Sequence, residues 1–326
     1  MRPITLSGFG ALVLLTVGMP AGADMGAIVP VGDVRLDEPG QKAIIAHDGF
    51  EELLILGTDF RATGQAKVLR FIPLPAEPVV SLAPEDCFAN LATLTRAHKL
   101  RYLQRYRGGQ AKEGVQVEVR SRQQIGAHDV TVVRVRDSAH FSTWANDFFK
   151  EKGLPQRKLT NEESALVADY VRRGMPFFVF DLVELGRETR SVAPLVYRFA
   201  TNHMYYPLKT SNLFGGEGRI DLFVFSDRGG LEPRSGHLDK TYCYPNQPDR
   251  QREPHRVPYF TDSTTAIVTA DEMNAICPAI AELLGARAVL HAFKYEGKLS
   301  FEDDVWSPVP VEEAKPYDPS AGRRGD

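Results

Sequence analysis

Three cysteines in 326 residues are too few to build a disulfide scaffold, and no Cys-x-x-Cys pair is among them. A thioredoxin-like redox role therefore has no support. Charge of one sign is also lacking, with 39 Lys and Arg against 42 Asp and Glu and a net charge of −3. No basic excess points to nucleic acid, and no acidic block points to a solvating tail. Beyond residue 23 no apolar run approaches the roughly 20 residues that span a bilayer. The best, 176–185, is interrupted by Asp181. There is no Gly-x-Ser-x-Gly elbow, no P-loop and no His-Glu-x-x-His. The eight histidines are scattered and form no metal-ligand spacing. What remains, at 43% hydrophobic and 25% charged residues, is an ordinary globular chain long enough for one large domain or two.

The N-terminus departs from this mixed composition. Arg2 is followed by an uncharged stretch, 4–19, then by Pro20 and the small residues Ala21-Gly22-Ala23. This is the tripartite pattern of a secretory signal peptide, residues 1–23, cut after Ala23. The apolar stretch is short for a membrane anchor, and no cysteine stands near the cleavage site to carry a lipid. The mature protein is expected in the periplasm or outside the cell, with no membrane span left after cleavage. Disulfides persist there. Cys243–Cys277 is the preferred pair, because it closes a loop of largely irregular chain. Three buried or free thiols are the alternative.

The residue pattern predicts an α+β fold: antiparallel β-sheets packed with three to four helices, in one body or two lobes. Strands are expected at 41–47 and 50–56 around an Asp48-Gly49 hairpin turn, then at 67–72, 115–119 and 130–135. A helix starts near Pro84, runs past Tyr102 and stops at Gly108-Gly109. Two more carry the faces Phe141, Trp144, Phe148 and Leu166, Tyr170; Thr160 to Glu163 forms a capping box and Gly153 and Gly174 are stops. The second half reads as strands at 177–185, 194–200, 220–225, 287–293 and 297–301. Thr269 to Glu272 is another capping box, and Pro278 kinks or restarts its helix. The expected units are an N-terminal lobe, 24–174, and a β-rich lobe, 175–301, with a long irregular loop at 227–258. Residues 302–326 read as a mostly disordered tail.

Few residues suggest chemistry. Glu302-Asp303-Asp304 reads as a solvated acidic turn, with a hard-cation site as the alternative. The arginines between Arg96 and Arg107 complement a helix dipole or grip an anionic partner. Tyr205-Tyr206-Pro207 suits a partly exposed binding groove, with sheet core as the plainer reading.

Several segments are familiar together. They are Asp24-Met25-Gly26-Ala27-Ile28-Val29-Pro30, Gln41-Lys42-Ala43-Ile44-Ile45, Glu52-Leu53-Leu54-Ile55-Leu56 and Phe71-Ile72-Pro73-Leu74-Pro75. Trp144, Tyr170-Val171 and Tyr206-Pro207-Leu208 follow. In that order they resemble an uncharacterised family of exported bacterial proteins, catalogued as domain of unknown function 2330. The resemblance is clear over residues 23–210 and looser beyond. His47 and Arg70 depart from its pattern. It implies export and a shared fold, and it implies no reaction and no cofactor.

The expected role is an exported, non-enzymatic binding or interaction module whose partner is an unidentified protein or small-molecule ligand. The long loop and the aromatic strands support it. An enzyme is the alternative, with a site drawn from the motif-like N-terminal third. Asp24 or Glu52 would serve there as general base or metal ligand, and Lys42, beside Gln41, as an anion partner. The plainer reading pairs Lys42 with Glu52 across the hairpin. A structural subunit of an envelope complex is a third reading.

Overall fold

Residues 43–46 and 53–56 contain no polar side chain, and the reason is that their strands are buried on both faces. In the computed structural model, which describes residues 26–28, 36–62, 65–102, 129–156, 158–185, 190–191, 194–213, 216–226 and 260–306, they lie at the centre of a large sheet. Ala43, Ile45, Leu54 and Leu56 point to one face; Ile44, Ala46, Leu53 and Ile55 point to the other.

The first half carries strands β1 (Gly26–Ile28), β2 (Leu36–His47), β3 (Glu51–Ala62), β4 (Ala66–Leu74), β5 (Val79–Leu82) and β6 (Asp129–Arg134), with helix α1 (Cys87–Ala97) between β5 and β6. Helices α2 (Phe141–Glu151) and α3 (Asn161–Arg172) follow, then β7 (Phe177–Leu185), β8 (Arg190–Ser191), β9 (Leu195–Ala200), β10 (Tyr205–Tyr206) and β11 (Glu217–Ser226). The chain closes with β12 (Thr261–Asp262), β13 (Ala266–Thr269), α4 (Ala270–Ile276), α5 (Pro278–Leu284), β14 (Arg287–Lys298) and β15 (Val305–Trp306). No helix among the described residues is long and apolar enough to cross a membrane.

The large sheet has the order β12-β14-β11-β2-β3-β9-β5, with β13 added beside β14 and β8 beside β3. Its β2–β11 pair is parallel and its other pairs are antiparallel. A four-stranded antiparallel sheet, β1-β4-β7-β6, and a small ribbon of β10 and β15 complete the β structure. Helices α1, α4 and α5 cover one face of the large sheet around Ile44, Leu53, Phe88, Leu91 and Ile280. A Cβ at Gly57 of β3 would lie 2.5 Å from the Phe88 ring, so the glycine is what lets α1 approach. The opposite face shares a second core with the four-stranded sheet and with α2 and α3, where Phe71, Phe141, Trp144, Phe178 and Phe180 pack ring against ring.

The α+β class with mainly antiparallel sheets is the architecture the residue pattern predicts. The division at residue 174 is not how the strands associate. The large sheet joins β2, β3 and β5 to β9, β11 and β14, and the smaller one joins β4 and β6 to β7. Other differences are local. Helix α1 stops at Ala97, where Lys99 takes φ 51° and Leu100 N–H donates back to Thr95 O at 3.0 Å. This is a Schellman ending with lysine in the position glycine usually takes. Strand β5 was not expected, and 287–298 is one strand rather than two. Strand β15 falls within the expected tail. The expected strand at 115–119 and the loop at 227–258 lie outside the described residues.

Candidate functional site

The three described candidates of the N-terminal third, Gln41, Lys42 and Glu52, do not converge. Asp24 lies outside the described residues. Gln41 stands opposite Thr58 and Glu52 opposite His47, so about 20 Å of strand separates them on one face. Lys42, opposite Gly57, points to the other face. The expected Lys42–Glu52 ion pair across the hairpin is excluded by the same register. His47 is the residue facing Glu52; it accepts from Gly49 N–H at 3.0 Å through Nδ1 and meets Thr201 O at 3.1 Å through Nε2, the pattern of a neutral imidazole.

The structure instead brings two of those residues to the tyrosine pair. Tyr205 N–H donates to Glu52 Oε2 at 2.6 Å, and Tyr206 O–H donates to Gln41 Oε1 at 3.3 Å. Gln41 in turn donates to Ser211 Oγ at 3.4 Å. All four side chains are buried, so the tyrosines are not a partly exposed groove. They seat the β10–β15 ribbon on the β2–β3 hairpin, with the Tyr205 and Trp306 rings 4.5 Å apart. Glu52 is fully enclosed, and its Oε1 has no hydrogen-bond partner. Burial pushes its pKa well above the carboxylate range, against the opposing Tyr205 N–H.

The ribbon ends in the acidic run, which sequence reasoning placed in solvent. Asp303 and Asp304 are buried. Asp304 Oδ1 accepts from Tyr170 O–H and from Lys209 N–H, both at 2.8 Å, and Oδ2 accepts from Tyr205 O–H at 3.3 Å. The Arg173 Nη1 donates to Asp303 Oδ1 at 2.6 Å and reaches Asp304 Oδ2 at 3.5 Å. Arg173 Nε and Lys209 Nζ both meet Asp169 Oδ2, at 3.0 and 2.7 Å. The guanidinium also lies over the Tyr170 ring at 5.0 Å. Burial, working against Arg173 and helped by Asp303, pushes Asp304 up to about 6. Asp169 goes the other way: burial tends to raise it, but Arg173 and Lys209 together hold it below its ordinary value. Arg173 and Lys209 supply the positive charge that a cation would have brought to this run. No three or more His, Cys, Asp or Glu side chains among the described residues are grouped to hold a metal ion. The signal missed in the sequence is Val305-Trp306, an apolar pair that draws the preceding acids inward.

A related constellation sits on the helix-covered face at the sheet rim. Asp221 Oδ2 accepts from Arg219 Nε at 2.7 Å, and Oδ1 accepts from Arg219 Nη2 at 3.0 Å and Tyr102 O–H at 3.2 Å. Burial raises the Asp221 pKa, with Arg219 opposing. Arg70, one of the two departures from the family pattern, forms a fully buried cross-strand ion pair with Asp181. Cys277 is a free, buried thiol, and its expected partner Cys243 lies outside the described residues. Burial raises its pKa, against the N–H groups of Ala279 and Ile280 at the start of α5.

The exposed apolar chemistry is elsewhere. Strand β5 pairs with β9 on one side and, among the described residues, with no strand on the other. Val79 and Leu82 are 71% and 69% exposed, while Val80 packs on the core. Pro78 and Pro84 bracket the strand. On β9 beside it, Arg198 bridges Glu51 at 2.9 Å and Glu282 at 3.0 Å.

Residues 19–288 match the family model described as an uncharacterized protein conserved in bacteria (DUF2330). The chain belongs to this family. The DUF2330 match covers both sheets down to the start of β14, including the Tyr205–Glu52 and Tyr206–Gln41 contacts, and leaves out Asp303, Asp304 and the ribbon strand β15. No curated protein sequence matches the chain. Among solved structures, that of baculovirus P35 is similar at 7% identity and a TM-score of 0.40, over 83% of this chain and 94% of that one. A likeness so distant carries no argument about function.

Proposed function

We propose that this DUF2330 protein is an exported, non-enzymatic interaction module that takes an extended polypeptide onto the β5 edge of its large sheet. The observation that carries the reading is β5 itself: an outer strand with Val79 and Leu82 in solvent and one flank of backbone groups without a strand partner among the described residues. Added strands gain main-chain hydrogen bonds along such an edge and specificity from side-chain contacts beside it. Natural sheets usually blunt their edges with charge. Here the blunting is confined to the flanking prolines, which limit the window to four residues. The Arg198–Glu51–Glu282 cluster gives one end of the window a charged marker. The signal-peptide pattern of residues 1–23 supports export, and the convergence an enzyme needs is missing from Gln41, Lys42 and Glu52.

The test is selection of extended peptides from a displayed random library against the wild-type protein, with hits remeasured by calorimetry as synthetic peptides. Binding should weaken at least tenfold in a Val79→Lys/Leu82→Lys variant that melts like the wild type. Peptides whose affinity is unchanged by that variant, or a library yielding no binder, would overturn the reading. N-terminal sequencing of the native protein checks export separately: a start at Asp24 supports it, and a retained Met1 refutes it.

A further inference from the structure

Helices α1 and α4 cross the same face of the large sheet and are tied at two points. At the C-terminal end of α1, His98 Nε2 meets Glu272 Oε1 at 2.7 Å in the first turn of α4. Further back along α1, Asn90 Nδ2 donates to Ala275 O at 2.7 Å, near the last turn of α4. The two helices are therefore antiparallel, and moving toward the start of one means moving toward the end of the other. The start of α1 is Cys87, and the residue that closes α4 and precedes Pro278 is Cys277. Both side chains are buried in the same apolar cluster, and both are free thiols. They also act on each other electrostatically. After burial, charge at Cys277 is the next influence pushing the Cys87 thiol up to about 12.

We propose that Cys87 and Cys277 are a disulfide-forming pair, a covalent staple between the start of α1 and the α4–α5 junction. The inference replaces Cys243 as the partner of Cys277, and it does not depend on the peptide-binding reading. Closure is thiol–disulfide exchange with an oxidant that is itself a disulfide. One cysteine thiolate attacks a sulfur of the oxidant, forms a mixed disulfide and releases one thiolate. The second cysteine thiolate attacks the protein sulfur of that mixed disulfide and releases the other. The protein loses two electrons and two protons, and the oxidant leaves as two thiols. Buried thiols with raised pKa values are poor nucleophiles. The bond therefore forms as the helices dock during folding, and once formed it is shielded by the core.

The experiment unfolds the purified protein in reducing denaturant and refolds it in mixed reduced and oxidised glutathione. Remaining thiols are then alkylated, and the protein is digested without reduction for peptide mass spectrometry. Circular dichroism identifies the refolded fraction. The expected product links the Cys87 peptide to the Cys277 peptide and carries an alkylated Cys243. Reduction of that product should lower Tm by about 5–10 °C, as expected for a crosslink closing so long a loop. A Cys243→Ser variant should keep both the link and the shift. A Cys243–Cys277 or Cys87–Cys243 link, or refolded protein with all three cysteines alkylated, would overturn the pairing. Where refolding yield is low, diamide oxidation of the native protein in dilute urea gives the same readout with the same decisive outcomes.

Discussion

Two carboxylates on opposite faces of the large sheet are held by the same kinds of partner, yet their situations differ. Asp221, at the rim, takes a two-point contact from Arg219, a guanidinium about a third exposed, and a third bond from Tyr102. Asp304, in the interior, takes two tyrosine hydroxyls and a backbone N–H but shares Arg173 with Asp303, while Asp169 draws on the same guanidinium. At the rim water reaches the guanidinium and screens its charge, and Lys294 adds a second positive charge near Asp221. In the interior the enclosed Arg173 guanidinium serves Asp169, Asp303 and Asp304, Lys209 reinforces it at Asp169, and Asp304 is left with a raised proton affinity. The comparison teaches that burial raises the proton affinity of a carboxylate in both places, and that what differs is how far water reaches its arginine.

The largest expected effect comes from removing the shared cation. Arg173→Met should cost about 3–5 kcal/mol, because it leaves buried carboxylates without their ion partner. Arg219 is about a third exposed, so Arg219→Met should cost only about 1 kcal/mol after solvent screening. Urea denaturation of both variants measures the contrast, and equal losses would break it.

A proton titration sharpens the comparison next. A carboxylate whose pKa is raised in the folded state binds more protons folded than unfolded between its two pKa values. Stability from Asp304 is therefore fullest below about pH 4 and declines as pH rises through about 6. Relative to Asp304→Asn, the wild type should lose about 1–3 kcal/mol across that window. A pair of melting curves recorded at pH 4.5 and 7 gives the answer, and parallel pH profiles would refute it. Asp169, held low, contributes with the opposite sign, so only the difference between variants is diagnostic.

The smallest effect is at Glu52, which has no cation partner among the described residues. Burial raises its proton affinity well above the ordinary carboxyl value, so the isosteric Glu52→Gln should change stability by less than about 1 kcal/mol near pH 4, where folded and unfolded chains both hold the proton. As pH rises above about 4.5 the wild type should fall behind the variant, because the unfolded chain gives up the proton first. A large loss near pH 4 would show that the carboxylate is needed in its charged form.

Much of this architecture is legible in short stretches of chain. The Thr160–Glu163 and Thr269–Glu272 capping boxes form as the spacing predicts, Gly153 and Gly174 take positive φ at the ends of α2 and α3, and Pro278 opens α5. Each depends on residues a turn apart. Features decided by distant neighbours are not legible. Lys99 ends α1 in a conformation that glycine would have advertised, and it does so because Leu100 is drawn into the core. Strand β5 exists because β9 offers an edge. The candidate site divides in the same way. Tyr205 and Tyr206 were recognisable as important aromatics, but their contacts with Glu52 and Gln41 span more than 150 positions of sequence, and the burial of Asp304 depends on Arg173 from α3.

The parallel contact of β2 with β11 sets a timetable for biosynthesis. Gln41 meets Ile220, so about 180 codons separate partners at the middle of the large sheet. At ordinary ribosomal speeds that is on the order of 10–40 seconds. Throughout that interval the strand carrying Ala43 to Ala46 has one flank without its neighbour. The cell that makes this protein must shield that flank with a chaperone, or delay folding until the whole polypeptide has been released.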